Sequence, residues 1–166
     1  MAKKPHIRGT FATAEAIYGT ILVAGLIVAA TNDSKTSWED LLTVVGTVVV
    51  FWAAHVYAGA VANFGAKREP PVGLGHALGE SFEHSWGLLT ASLFPTFFLV
   101  LGAAGLVVDQ VAVMLALWSC VAILAGLAYS AFSERGSTIL VRLVGVSATA
   151  GFGVAVIVLY AIVHMV

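Results

Sequence analysis

The sequence predicts an all-α, polytopic membrane bundle of five transmembrane helices. Of its 166 residues, 60% are hydrophobic and 10% charged, against about 25% charged in an ordinary soluble domain. The few charges avoid long apolar stretches, and each stretch approaches or exceeds the ~20 residues that cross a bilayer core. The breaks between stretches are short, which makes sequential helices antiparallel neighbours.

The first helix is expected over about residues 11–30, "FATAEAIYGTILVAGLIVAA". Its apolar length and its Glu15 set it apart from a cleaved secretory signal. The second is expected over about 39–64, with Thr36 or Ser37 placed to cap it. "AKREPPVGLG" then breaks the chain, because paired prolines cannot continue a helix. The third is expected over about 82–107, after "HALGESFEHSW" at 76–86. The fourth and fifth follow over about 111–132 and 138–164, with "DQ" and "SERGS" as the turns. Residues 1–166 therefore form a single integral membrane domain.

Charge orients the bundle. Of the eight Lys and Arg residues, five alternating helices place Lys3, Lys4, Arg8, Lys67, Arg68, Arg135 and Arg142 on one side and Lys35 alone on the other. The positive-inside rule makes the N-terminus cytoplasmic and the C-terminus external, in a multi-pass protein of the cell membrane, the inner membrane in a bacterium. Asp33, Glu39, Asp40 and Asp109 fall in the external connections. Trp38 and Trp86 fall near opposite interfaces, where aromatic belts are expected. No basic stripe or recognition motif points to nucleic acid. Cys120, the single cysteine, cannot form an internal disulfide or a CxxC site.

Small residues at 145–153 (Gly145, Ser147, Ala148, Gly151 and Gly153) allow close helix–helix approach in lipid. They predict a helix contact there, either within the chain or in a homo-oligomer or membrane complex.

An ionisable group inside a span costs about 2.5–3.5 kcal/mol on insertion scales and faces protein or water. Arg142 and His164 lie near the interfaces and can snorkel. Glu15 lies roughly 6 Å deep in the first helix and His55 roughly 13 Å deep in the second, at 1.5 Å per residue. His84 begins the third on the same side. A polar vestibule follows if their faces converge.

"HALGESFEHSW" has a second reading. His76, Glu80, Glu83 and His84 fall within about 100° of helical arc. His and carboxylate at such spacing can hold a metal ion, and an amphipathic segment lying wet in the interface shows the same pattern. A bis-histidine haem needs two histidines at similar depth, whereas His55 and His84 are expected to differ by about two helical turns. No cofactor is predicted; metal or haem is the alternative. Nor is there a nucleophile–base pair, phosphate-binding glycine loop or zinc-protease motif to suggest an enzyme.

Three fragments in order resemble the lysosomal potassium-channel family and its prokaryotic relatives, over roughly residues 8–100. "RGTFATAEAIYG" places Arg8 and Glu15 like that family's Arg-led first helix with its acidic residue. "FWAAH" is similar to its Trp and His pair, at Trp52 and His55, and "SLFPTFF" to its Pro-Thr stretch, at Pro95 and Thr96. Thr13-Ala14-Glu15 stands where the family has Phe-Ser-Asp, and five helices are read where its repeat has six. The resemblance implies an oligomeric cation-conducting bundle whose first helix lines the pore, with Ile17, Ile21 and Leu22 near an apolar constriction.

The sequence thus favours an oligomeric monovalent-cation or proton channel or transporter, with Glu15, Ile17, Ile21, His55 and His84 on the ion pathway. A non-conducting accessory or scaffold subunit of a membrane complex is the alternative. A metal- or haem-binding protein, using His76, Glu80, Glu83 and His84, is the second.

Overall fold

The computed structural model describes residues 14–33, 36–65, 73–134, 136–163 and 165. They form α1 (Ala14–Asp33), α2 (Ser37–Gly65), α3 (Leu74–Ala103), α4 (Asp109–Glu134) and α5 (Ile139–Val163). All five helices are long and apolar enough to cross a membrane. Of the charges that orient the chain, Lys3, Lys4, Arg8, Lys35, Lys67, Arg68 and Arg135 lie outside the described residues, as does His164.

The helix ends follow local chemistry. Thr36 caps α2, its hydroxyl and carbonyl oxygens both accepting from the Glu39 amide at 3.3 and 3.0 Å. Gly105 stops α3 at a positive φ of 70°. The amides of Gly105 and Leu106 donate to the carbonyls of Gly102 and Leu101 at 2.8 and 3.0 Å, a Schellman closure. Gly136 ends α4 the same way, with φ of 65°.

The third helix differs from the sequence expectation at both ends. It begins at Leu74 rather than 82, because the amides of His76 and Ala77 donate to the Gly73 carbonyl and the helix runs on unbroken. Gly75 and Gly79 lie in its first two turns, where Ala77 is the buried residue. Ala77, Ser81, Ser85, Leu88, Ser92, Pro95, Leu99 and Gly102 form one buried stripe along α3. The stripe starts with small residues, so it carries no apolar signal in the sequence. At the other end, Gly105 terminates the helix before 107. Pro95 sits inside α3, where it lacks the N–H that would bond the Ala91 carbonyl.

Around α1 the other helices follow in sequence, α2 against α3, α3 against α4 and α4 against α5, and α1 touches all four. Its strongest contact is with α3. Ala16, Thr20, Val23, Ala24, Ile27 and Val28 are its buried face, recurring at helical spacing. Cys120 on α4 is fully buried in the same core, with Ala116 and Leu117. The small residues of α5 are divided. Gly145 meets the Phe132 ring, and Gly153 meets Val121 and Leu124, so these two join α5 to α4. Ser147, Ala148 and Gly151 face outward.

A close backbone approach joins α1 to α3. A Cβ on Gly19 would stand 3.0 Å from the Leu88 Cα, which cannot rotate away. Gly19→Val should therefore destabilise by about 1–3 kcal/mol, the usual cost of overpacking. Gly25 on the same helix has open space around its Cβ position, so Gly25→Ala should be neutral or gain up to about 1 kcal/mol. Thermal unfolding of the detergent-solubilised variants checks the contrast; equal effects at both positions would refute it.

Candidate functional site

The register of α1 on α3 places the first polar pair. Glu15 is one turn before Gly19, and His84 is one turn before Leu88. Because the Gly19–Leu88 contact holds the two backbones together, stepping back one turn on each helix brings Glu15 to His84. His84 Nε2 lies 2.8 Å from Glu15 Oε1. The geometry suits an imidazole N–H donating to a carboxylate, with a full ion pair only when His84 is protonated. The side chain of Glu15 is 13% exposed and that of His84 70% exposed. The carboxylate is thus sheltered, while the imidazole reaches outward.

The contact of α2 with α3 adds the third residue. A Cβ on Gly59 would come within 3.0 Å of Ser81 Oγ, so glycine permits this approach. Ser85 donates to the Ser81 carbonyl at 2.7 Å, and Asn63 Nδ2 donates weakly to Ser81 Oγ at 3.4 Å. Beside this contact lies an open pocket of about 260 Å³, with His55, Asn63, Glu80, Ser81, His84 and Ser85 in its wall. A second, shallower recess of about 350 Å³ is lined by Ala14, Glu15, Tyr18 and His55. The rings of Tyr18 and His55 stack there with centroids 6.5 Å apart and planes inclined at 27°. His55 borders both spaces, and the Glu15–His84 pair joins them.

Glu15, His55 and His84 therefore converge from three helices. The difference in depth expected between the two histidines disappears. His55 precedes Gly65 by ten residues and His84 follows Leu74 by ten, so both stand roughly 15 Å from the α2–α3 connection at 1.5 Å per residue. Their levels match because α3 starts two turns early. The haem requirement of similar depth is met in that sense, yet His84 Nε2 is already directed at Glu15.

Other sequence candidates fall elsewhere. Ile17 and Ile21 are half-buried on α1 and line neither space; Leu22 is likewise half-buried. His76, Glu80, Glu83 and His84 are all exposed on α3, and only Glu80 and His84 reach the pocket. Among the described residues, no three or more His, Cys, Asp or Glu side chains gather where they could hold a metal. Trp52 packs edge-on against Phe82 with ring centroids 5.2 Å apart, and its buried indole N–H has no acceptor among the described residues.

Tyr18, Gly59, Asn63, Ser81 and Ser85 were not signalled by the sequence reading. Tyr18 could have been found, since it stands three residues after Glu15 and so shares its side of the helix. The rest depend on which faces of α2 and α3 meet. Comparison of the chain with family models, curated proteins and solved structures gave no match. What the fold defines is a class: a five-helix bundle whose every helix can cross a membrane.

The pair itself can be weighed by a double-mutant cycle of Glu15→Gln and His84→Gln. With His84 mostly exposed, the expected coupling is up to about 1 kcal/mol. Strict additivity in thermal or denaturant unfolding would show that the 2.8 Å contact adds nothing to stability.

Proposed function

We propose that this chain is a multi-pass cell-membrane protein that moves a monovalent cation or a proton through a site at Glu15, His55 and His84. In this reading the N-terminus is cytoplasmic and the polar site opens to the cytoplasm. The observation that supports it most is Glu15, a sheltered carboxylate in a helix whose one other charged residue, Asp33, is at its far end, paired with His84 beside pockets that His55 shares. A carboxylate in low-dielectric surroundings concentrates cations, and imidazole changes charge near physiological pH. The resemblance to the lysosomal potassium-channel family belongs to the same proposal, with α1 on the pathway.

A second reading has its own observation. Ser147, Ala148 and Gly151 of α5 face outward, a close-packing surface suited to an accessory subunit. Mild-detergent purification that retains one stoichiometric partner would favour it.

Flux from proteoliposomes decides the first reading. Movement of potassium, sodium or protons should exceed that of empty liposomes, and Glu15→Gln should lower it by about tenfold or more, the scale of electrostatic focusing. Absence of flux from folded, inserted protein, or flux indifferent to Glu15→Gln, would remove Glu15 from the pathway.

A further inference from the structure

We infer that the recess at Glu15 and Tyr18 takes an organic ammonium ion, and that the proton on His84 is the species it displaces. The inference rests on the reading of Glu15 as a cation site and names its substrate class. Conducting sites for alkali ions replace the hydration shell with rings of oxygen dipoles, commonly free backbone carbonyls. Here the walls are helical, and helices keep their carbonyls for their own hydrogen bonds. Ala14, Glu15, Tyr18 and His55 line the recess, so the side-chain oxygens they provide are the Glu15 carboxylate and the Tyr18 hydroxyl. Among the described residues that is too few to replace the shell of a bare alkali ion, which would have to pass hydrated. An organic cation asks for something different: one carboxylate for its charge and an aromatic surface for its carbon-bearing face. Glu15 supplies the first, and the stacked Tyr18 and His55 rings supply the second. At about 350 Å³, the recess is at the small end of ligand sites.

The 2.8 Å contact with His84 makes the site exchange charge. A protonated His84 already neutralises Glu15, and an ammonium ion arriving beside it would put two positive charges on one carboxylate. Binding therefore breaks an imidazolium N–H bond. The electron pair stays on nitrogen, and the proton passes to water in the polar pocket that His84 also borders. One cation is taken up and one proton released. The titratable groups facing this carboxylate, among the described residues, are His84 from α3, His55 from α2 and Tyr18 from α1, with Glu80 further along the α2–α3 pocket. Residues of α4 and α5 line neither space.

Calorimetric titration of the full-length protein in detergent with benzyltrimethylammonium tests this, in buffers of different ionisation enthalpy to count protons. Affinity should weaken as the pH falls, by up to about tenfold per unit while one proton is exchanged. Glu15→Gln should abolish binding. Tyr18→Leu should weaken it about fivefold, a cation–π contribution. His84→Gln keeps a donor for Glu15 but cannot carry the proton, so it should bind with a smaller pH response and less proton release, any remainder belonging to His55. Glu15→Asp, with the charge retained, guards against a folding failure in Glu15→Gln and should keep measurable binding. Glu15-dependent potassium flux with no benzyltrimethylammonium binding would overturn this inference and leave the cation-pathway reading standing. Failure of both would end both.

Discussion

The contact between Gly19 and Leu88 sets the geometry on which the polar site depends. Helices this apolar on every side gain little from choosing one neighbour over another by hydrophobicity, so fit decides which faces meet. A residue without a Cβ lets α1 approach the backbone of α3. Glu15 and His84, each one turn earlier, then come together without further adjustment. The same device recurs where Gly59 meets Ser81 and where Gly102 meets Ala112. Glycine here fixes register as well as distance.

Polar chemistry is handled in two ways. Many serine and threonine hydroxyls turn back on their own helix, as when Thr20 donates to the Ala16 carbonyl at 2.7 Å and Ser119 to that of Ala116 at 2.6 Å. They satisfy themselves without linking one helix to another. Glu15, His84, Asn63 and Ser81 instead reach across between helices. These contacts cluster toward the N-terminal parts of α1 and α3 and the C-terminal part of α2. A bundle that gave both jobs to the same residues could not keep a carboxylate and two imidazoles near one another while leaving the rest of its helices unremarkable.

Much of this architecture was legible in the residues, for physical reasons that also explain what was not. Apolar runs bounded by Pro, Gly and charge gave all five elements, since span length is a property of composition. The start of α3 is hidden in the sequence because Ala77, Ser81 and Ser85 bury their stripe with small side chains, and because the glycines at 75 and 79 look like breaks. A helix starting at 82 places His84 about two turns away from the level of His55. Glu15, His55 and His84 stood out singly as ionisable groups in apolar surroundings. Their convergence was a condition that only the register of three helices could supply. Tyr18 was overlooked because an aromatic residue in an apolar helix is ordinary until its neighbour is known.

Cys120 has a practical consequence of its own. Its side chain is buried in the core that also holds Ala116 and Leu117, so thiol reagents added to the folded chain meet no accessible native target. A cysteine placed at Tyr18 or Leu22 would then report its own accessibility against a silent background, with no need to mutate the native residue first. Cys120 would react only when the bundle opens. The chain thus carries an internal alarm for unfolding beside any label placed on its surface.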